Sequence, residues 1–222
     1  MKQKLRWRLL LPGLLVAGTL AFFAWRQLPG PQAPLRHLSD NPQNYKAIDS
    51  SIQMLQSGDL VLRTGSDAVS YMLRQMNQKN KTYSHCGIVL IEDGYPFVYH
   101  SIGGEDNPAE TLRRDSASFF FSPEYNQRLG VVRLGLTAVQ IERLQHLVQE
   151  YYQARVRFDM DFDMQSDDKL YGAEFVYKAV CRATENALFF PLTSLFGRQY
   201  VGVDDLYENS HAKIICDYIY RL

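Results

Sequence analysis

The sequence has no excess of charge of either sign, because its 24 lysines and arginines are balanced by 24 aspartates and glutamates. A protein that binds nucleic acid needs a broad basic surface, and this balance predicts none. The sequence also has no internal repeat and no low-complexity tract. We therefore expect one globular domain with a sizeable core.

Cysteine is also scarce, and the three cysteines of the chain are Cys86, Cys181 and Cys216. In an oxidising compartment an odd number leaves at least one of them free or bonded to another chain. Each has apolar neighbours in the sequence, which is typical of a small buried residue. We therefore expect the three thiols in the core.

No pattern in the chain indicates a metal site or a cofactor. The acidic run from Asp159 to Asp168 alternates like the start of a calcium loop. However, Met164 stands where such a loop requires glycine, and no glutamate closes it. We interpret the run as a solvated loop and predict neither a metal nor a cofactor.

The N-terminus has the composition of a membrane segment. Basic residues precede an apolar run from Leu9 to Trp25, which Arg26 closes. This layout is typical of a signal anchor or of a cleaved signal peptide. Because no convincing small-x-small cleavage site is present, we predict an uncleaved anchor over residues 1–27, with a cleaved signal as the alternative.

The position of the basic residues predicts which side of the membrane holds the domain. The positive-inside bias puts the N-terminus in the cytoplasm and the domain outside. In a bacterium the protein would be a single-pass inner-membrane protein with its domain in the periplasm or outside the cell, or a periplasmic protein if the signal is cleaved. Prolines and glycines predict a linker over residues 28–50, followed by the domain at 51–222.

The apolar pattern of the domain predicts an α+β fold. Short apolar runs predict strands at 60–62, 83–90, 96–100, 119–121, 130–134 and 214–216. Helical spacing predicts helices at 48–55, 66–76 and 137–154, and another that Asp167 or Asp168 caps. Because a short hairpin at Glu92–Tyr95 joins the middle strands, we expect an antiparallel sheet packed against helices.

Two histidines stand on consecutive predicted strands. His85 lies at the mouth of the first strand and His100 at the end of the second, so antiparallel pairing should bring them close together. A histidine that a second polar side chain orients is the base-and-orienter half of a nucleophilic triad. A lone histidine on a strand is more often structural, and a triad still needs a sulfur or a hydroxyl.

Five blocks of sequence add to the evidence from the two histidines. They are Ser57–Val61, Ser84–Val89, Val98–His100, Phe158–Phe162 and Asp168–Ala179. In order and spacing they resemble the YiiX/YebB-like cysteine hydrolases, which are the circularly permuted branch of the papain-like NlpC superfamily. The resemblance covers roughly residues 57–215 and implies a permuted papain-like domain built for thiol attack on an amide or ester.

The resemblance also implies the roles of three residues. His85 matches the catalytic base on its strand, and His100 falls where many members carry a glutamate that orients the base. The nucleophilic cysteine of the family should start a helix directly after Tyr171, and here that residue is Gly172. Gly172 is therefore a departure from the family pattern.

Glycine has no side chain that could attack a substrate, whereas the family depends on a thiol at a helix N-terminus. Cys86 should point to the opposite face of the strand from His85, and Cys181 should lie on the far side of the helix. Cys216 has no histidine near it in the sequence. Gly172 is either a natural loss or an introduced change in an otherwise active enzyme.

We therefore expect a membrane-anchored, extracytoplasmic hydrolase-fold protein that is inactive as written. Its ligand would be a peptide, an amide or a lipid, and its membrane partner the inner membrane. The alternatives are a non-catalytic binding module for a cell-wall peptide or lipid, and a structural partner of an envelope complex. The aromatic clusters Phe119–Phe121 and Phe189–Leu192 are expected in the core, with an acyl pocket as the alternative.

Overall fold

A computed structural model describes residues 37–104, 107–195 and 197–222. The predicted anchor, residues 1–27, and the first part of the predicted linker lie outside these ranges. Within the described ranges, no helix has both the length and the apolar character needed to cross a bilayer. Residues His37–Leu222 form one compact unit.

Helices and strands are mixed along this unit. The α-helices are α1 (Pro42–Gln53), α2 (Ala68–Met76), α3 (Ala117–Phe120), α4 (Ala138–Gln153) and α5 (Gly172–Thr184). The strands are β1 (Leu60–Gly65), β2 (His85–Glu92), β3 (Tyr95–His100), β4 (Arg113–Ser116), β5 (Asn126–Leu134), β6 (Thr193–Leu195), β7 (Arg198–Tyr200) and β8 (Ala212–Ile219). Short 3-10 helices cover Leu38–Asp40 and Asp204–Leu206.

Six of these strands form an antiparallel sheet in the order β4-β3-β2-β1-β5-β8, and β6 and β7 form a separate hairpin. The predicted α+β class, with an antiparallel sheet packed against helices, is confirmed. The predicted hairpin between β2 and β3 is confirmed as well. It turns at Asp93 and Gly94, which both have positive φ, as a two-residue turn between twisted strands requires.

The sheet has a core on each face, because alternate residues of a strand point in opposite directions. On one face, Cys86 and Ile88 pack with helices α4 and α5, and we call this the α5 face. On the other face, Val89 and Val98 pack with helices α1 and α3, and we call this the α1 face.

One end of the sheet carries the predicted histidines. There β1 ends at Gly65, β3 ends at His100, β2 begins at His85 and β5 begins at Asn126. We call this the histidine end. Helix α4 begins after β5 has run to the opposite end of the sheet.

Three local predictions differ from the structure. Residues 119–121 do not extend the sheet, because the Ser116 hydroxyl accepts the Phe119 N–H and starts helix α3. The last long helix begins after Tyr171, so neither Asp167 nor Asp168 caps it. Helix α1 begins at Pro42, inside the stretch 28–50 that the sequence assigns to a linker.

Candidate active site

His85 lies on the α1 face of the sheet at the histidine end. Its strand neighbours Cys86 and Ile88 are buried on the α5 face, so strand alternation points His85 the other way. Arg63 is its cross-strand partner on β1. His85 as a whole residue is of intermediate exposure.

The ring of His85 is held by the residue before it. The Ser84 Oγ and the His85 Nδ1 are 2.8 Å apart. Ser84 Oγ also accepts the Gly65 N–H at 3.0 Å and donates to the Arg63 carbonyl at 3.2 Å. Ser84 is only 4% exposed, so its hydroxyl is not available to a substrate. Its hydrogen bonds hold the His85 ring in place instead. Ser84 is therefore a positioning residue for His85.

His100 shares the α1 face with His85, but another residue holds it. The His100 Nε2 lies 2.8 Å from the Asp115 Oδ2, and Arg113 pairs with the other oxygen of that carboxylate at 2.8 Å. The ring packs edge-on against Phe120. No hydrogen bond between the two histidines is present among the described residues, so Asp115 orients His100 and Ser84 orients His85.

The environment lowers the pKa of both histidines. Burial lowers the pKa of His85 well below its usual range, and the nearby charges of Arg63 and His100 lower it further. Burial also lowers the pKa of His100, although its hydrogen bond to Asp115 opposes that effect. Both rings are therefore neutral at pH 7, which is the form in which His85 can accept a proton or a hydrogen bond.

Gly172 is the first residue of helix α5, which packs on the α5 face. A Cβ at this position would meet the carbonyl oxygen of Ser101 at 3.1 Å, and no other neighbouring atom of the described chain lies within 4 Å. Ser101 directly follows His100, so Gly172 is at the histidine end. The structure places His85 and His100 on the same face of neighbouring strands, and neither side chain lies within 4 Å of a Cβ at residue 172.

Among the described residues, no cysteine side chain is hydrogen-bonded to His85. Cys86 is buried on the α5 face, and burial raises its thiol pKa strongly. Cys181 is buried near the end of α5, and burial raises its thiol pKa too. Cys216, on the far edge strand β8, contacts Ser51 at 3.3 Å. The described residues therefore offer the histidines no thiol nucleophile.

Glu174 is a buried acid that the sequence did not single out. It has no exposed surface, accepts the Tyr171 N–H at 3.1 Å and pairs with Lys178 at 2.8 Å. Burial raises its pKa to about 7, although Lys178 opposes that effect. The sequence did contain a signal for these contacts of Glu174. A glutamate three residues after a helix N-cap commonly bonds back to the cap, and a lysine four residues after a glutamate commonly pairs with it.

Asp115 and Arg63 were also missed, and no sequence signal could have found them. Asp115 lies on a four-residue edge strand with no apolar alternation, and Arg63 reaches the site only through its pairing with His85. The described residues contain no group of three or more histidine, cysteine or acidic side chains placed to hold a metal ion.

No protein-family model matches the sequence, and no curated protein matches it significantly. Among solved structures, the chain is similar to the crystal structure of the metalloprotein yiiX from Escherichia coli O157:H7. The TM-score is 0.59 at 16% sequence identity, and the match covers 74% of this chain and 98% of that one. The chain therefore has a YiiX-like fold.

Proposed function

From this YiiX-like fold and the histidines at its end, we propose that the protein is a permuted papain-like hydrolase domain that has lost its thiol nucleophile. It would bind a peptide, amide or lipid ligand without cleaving it. The observation that carries the proposal is Gly172 at the start of α5, together with the burial of Cys86 and Cys181.

The chemistry of a thiol hydrolase explains why this loss is decisive. The helix N-terminus lowers a thiol pKa, and its free N–H groups stabilise the oxyanion that forms on attack. Helix α5 keeps such an N-terminus at residue 172, but glycine supplies no atom that can form the covalent bond. Without that bond an amide or ester remains intact in the site.

The remaining groups support binding. The His85 ring is neutral and fixed by Ser84, and such a ring can form a hydrogen bond with a hydroxyl or N–H group of a ligand. Arg63 lies beside it and contacts Asn126 at 3.0 Å. Fixed polar groups of this kind give a ligand its orientation.

The proposal places the domain outside the cytoplasm. The basic residues and apolar run before Arg26 support a single-pass anchor in the inner membrane of a bacterium, with the domain in the periplasm or outside the cell.

The lost-nucleophile proposal can be tested by restoring the thiol. In the full-length protein, Gly172→Cys should be acylated by an activated ester, up to one acyl group per chain, because the helix N-terminus stabilises the thiolate. Gly172→Ala is the matched control, since its Cβ meets the same Ser101 carbonyl and carries no sulfur. Intact-mass spectrometry measures the added acyl group.

Two results would count against the proposal. Acylation of the natural protein or of Gly172→Ala at the same rate would show that another residue is the nucleophile. A Gly172→Cys thiol that reacts no faster than the buried Cys86 would show that residue 172 is not placed for chemistry.

A further inference from the structure

Helix α2 exposes apolar side chains at the histidine end. Val69, Tyr71 and Met72 are between 62% and 68% exposed, whereas Ser70 is buried against the domain. A surface helix of a globular domain normally turns its apolar side chains to the core, yet this helix turns large apolar groups to the outside. Single exposed apolar residues are common on protein surfaces, but a group of three on one short helix is not.

Two exposed aromatic residues lie beside the start of this helix. Phe119 and Tyr125 are 48% and 51% exposed, and their ring centroids are 6.0 Å apart. The N–H and the hydroxyl of Ser66, just before α2, both donate to the Tyr125 carbonyl. The five side chains of Val69, Tyr71, Met72, Phe119 and Tyr125 therefore lie at one end of the domain, and we call them the apolar rim.

Basic groups accompany the apolar rim. Arg74 on α2 donates to the carbonyl of Lys81, and the Lys81 ammonium contacts the Gln75 side chain. Arg113 lies over the Phe119 ring. Exposed aliphatic and aromatic groups flanked by basic residues suit the interface of a bilayer that contains anionic lipids.

The described chain also begins at this end of the domain. Asn41 and Asn44 donate to the carbonyl of Arg221, and Tyr220 is bonded to Gln127 at the start of β5. The predicted apolar run ends eleven residues before His37, at Arg26. Eleven extended residues span at most about 36–40 Å. A bilayer that holds the run would thus be within reach of the rim.

We propose that the apolar rim docks on the surface of an anionic lipid bilayer, so that the histidine end faces the membrane. This inference goes beyond the proposed function, because it concerns the orientation of the domain and holds whether or not a ligand is cleaved. In the docked state Met72 and Tyr71 lie among the lipid headgroups and the first methylene groups, and Arg74 and Lys81 contact lipid phosphates.

The full-length protein in vesicles provides the test. Trp7→Phe and Trp25→Phe remove the two tryptophans of the chain, and Met72→Trp then places one reporter in the rim. Val139→Trp is the matched control, because Val139 is 57% exposed near the start of α4 at the opposite end of the sheet. The vesicles contain phosphatidylglycerol and phosphatidylcholine, with or without brominated acyl chains.

Docking predicts that brominated lipids quench the Met72→Trp emission roughly twofold or more and leave Val139→Trp unchanged, since only the rim enters the interface. Equal emission of Met72→Trp in brominated and ordinary vesicles would overturn the proposal. A blue-shifted Met72→Trp emission that bromine does not quench would also overturn it, and would identify a protein surface, such as a second copy of the chain, as the occupant.

Discussion

The hydrogen bond between His100 and Asp115 fixes a nearly buried ring. His100 is 3% exposed, so a lost partner would leave a polar nitrogen without water to replace it. The carboxylate that holds the ring comes from the neighbouring strand β4.

We expect Asp115→Ala to reduce the free energy of unfolding by about 1–3 kcal/mol, because His100 and Arg113 both lose their carboxylate partner. Urea denaturation of the full-length protein measures this change. The matched control is Glu110→Ala, which breaks the exposed pair with Arg157 and should cost less than about 1 kcal/mol. Equal losses in the two variants would contradict a structural role for the His100 bond.

Glu174 makes stability depend on pH. Its folded pKa of about 7 is above its ordinary value of 4.5, so the folded state binds a proton more tightly than the unfolded state. This contribution to stability is complete below pH 4.5 and is lost as the pH rises to 7, by up to about 3 kcal/mol. The histidines act in the opposite direction, because their lowered pKa values make acid destabilising.

We therefore expect Glu174→Gln to steepen the loss of stability on acidification between pH 7 and pH 5. The glutamine keeps an acceptor for the Tyr171 N–H but does not titrate. Urea midpoints of the natural and variant proteins across this range measure the effect. Parallel curves for the two proteins would show that the buried carboxyl has an ordinary pKa.

At the scale of single elements, the β2–β3 hairpin depends on Gly94. Its φ is +84°, a conformation that favours glycine, and open space surrounds the position of an added Cβ. We expect Gly94→Ala to cost about 1–2 kcal/mol of unfolding free energy through backbone strain alone. Gly135→Ala is the matched control, because its surroundings are equally open and its φ lies outside the positive region that favours glycine. An equal cost in both variants would refute the role of the positive φ.

Elements with a strong local signal could be predicted from the sequence. Helix α4, predicted at 137–154, begins after Thr137 with a capping box that includes Gln140. The Asp93-Gly94 hairpin has the dipeptide that such turns favour. Residues 119–121 could not be placed in this way, since three consecutive phenylalanines suit a strand or a buried helix equally well. Tertiary packing against helix α1 and the sheet decides the outcome.

The candidate site could likewise be predicted from the sequence only in part. His85 and His100 could be predicted to lie close together, because sequence spacing around a tight hairpin fixes the register. The partners of the two histidines could not be predicted. The bond from Ser84 to His85 depends on the rotamer of the Ser84 side chain, and the position of Asp115 depends on how strand β4 joins the sheet. The face on which Gly172 lies also depends on how α5 packs.

At the scale of the whole molecule, one end of the sheet collects the histidines, the start of α5 and the apolar rim. Under the proposed function, a thiol at residue 172 would attack an amide or ester there, and glycine in its place would leave polar groups that bind a ligand. We expect saturable binding of either a muramyl peptide or lysophosphatidylglycerol by calorimetry, weakened about tenfold, or about 1.4 kcal/mol, in His85→Ala. Absence of binding by both probes would contradict the binding role.

The most direct test of the account is turnover by the natural full-length protein on a panel of amide and ester substrates, measured beside His85→Ala. The account predicts the same background rate for both proteins, because residue 172 carries no thiol and Cys86 and Cys181 are buried. Turnover by the natural protein that is lost in His85→Ala would contradict it and would establish an active hydrolase with a different nucleophile.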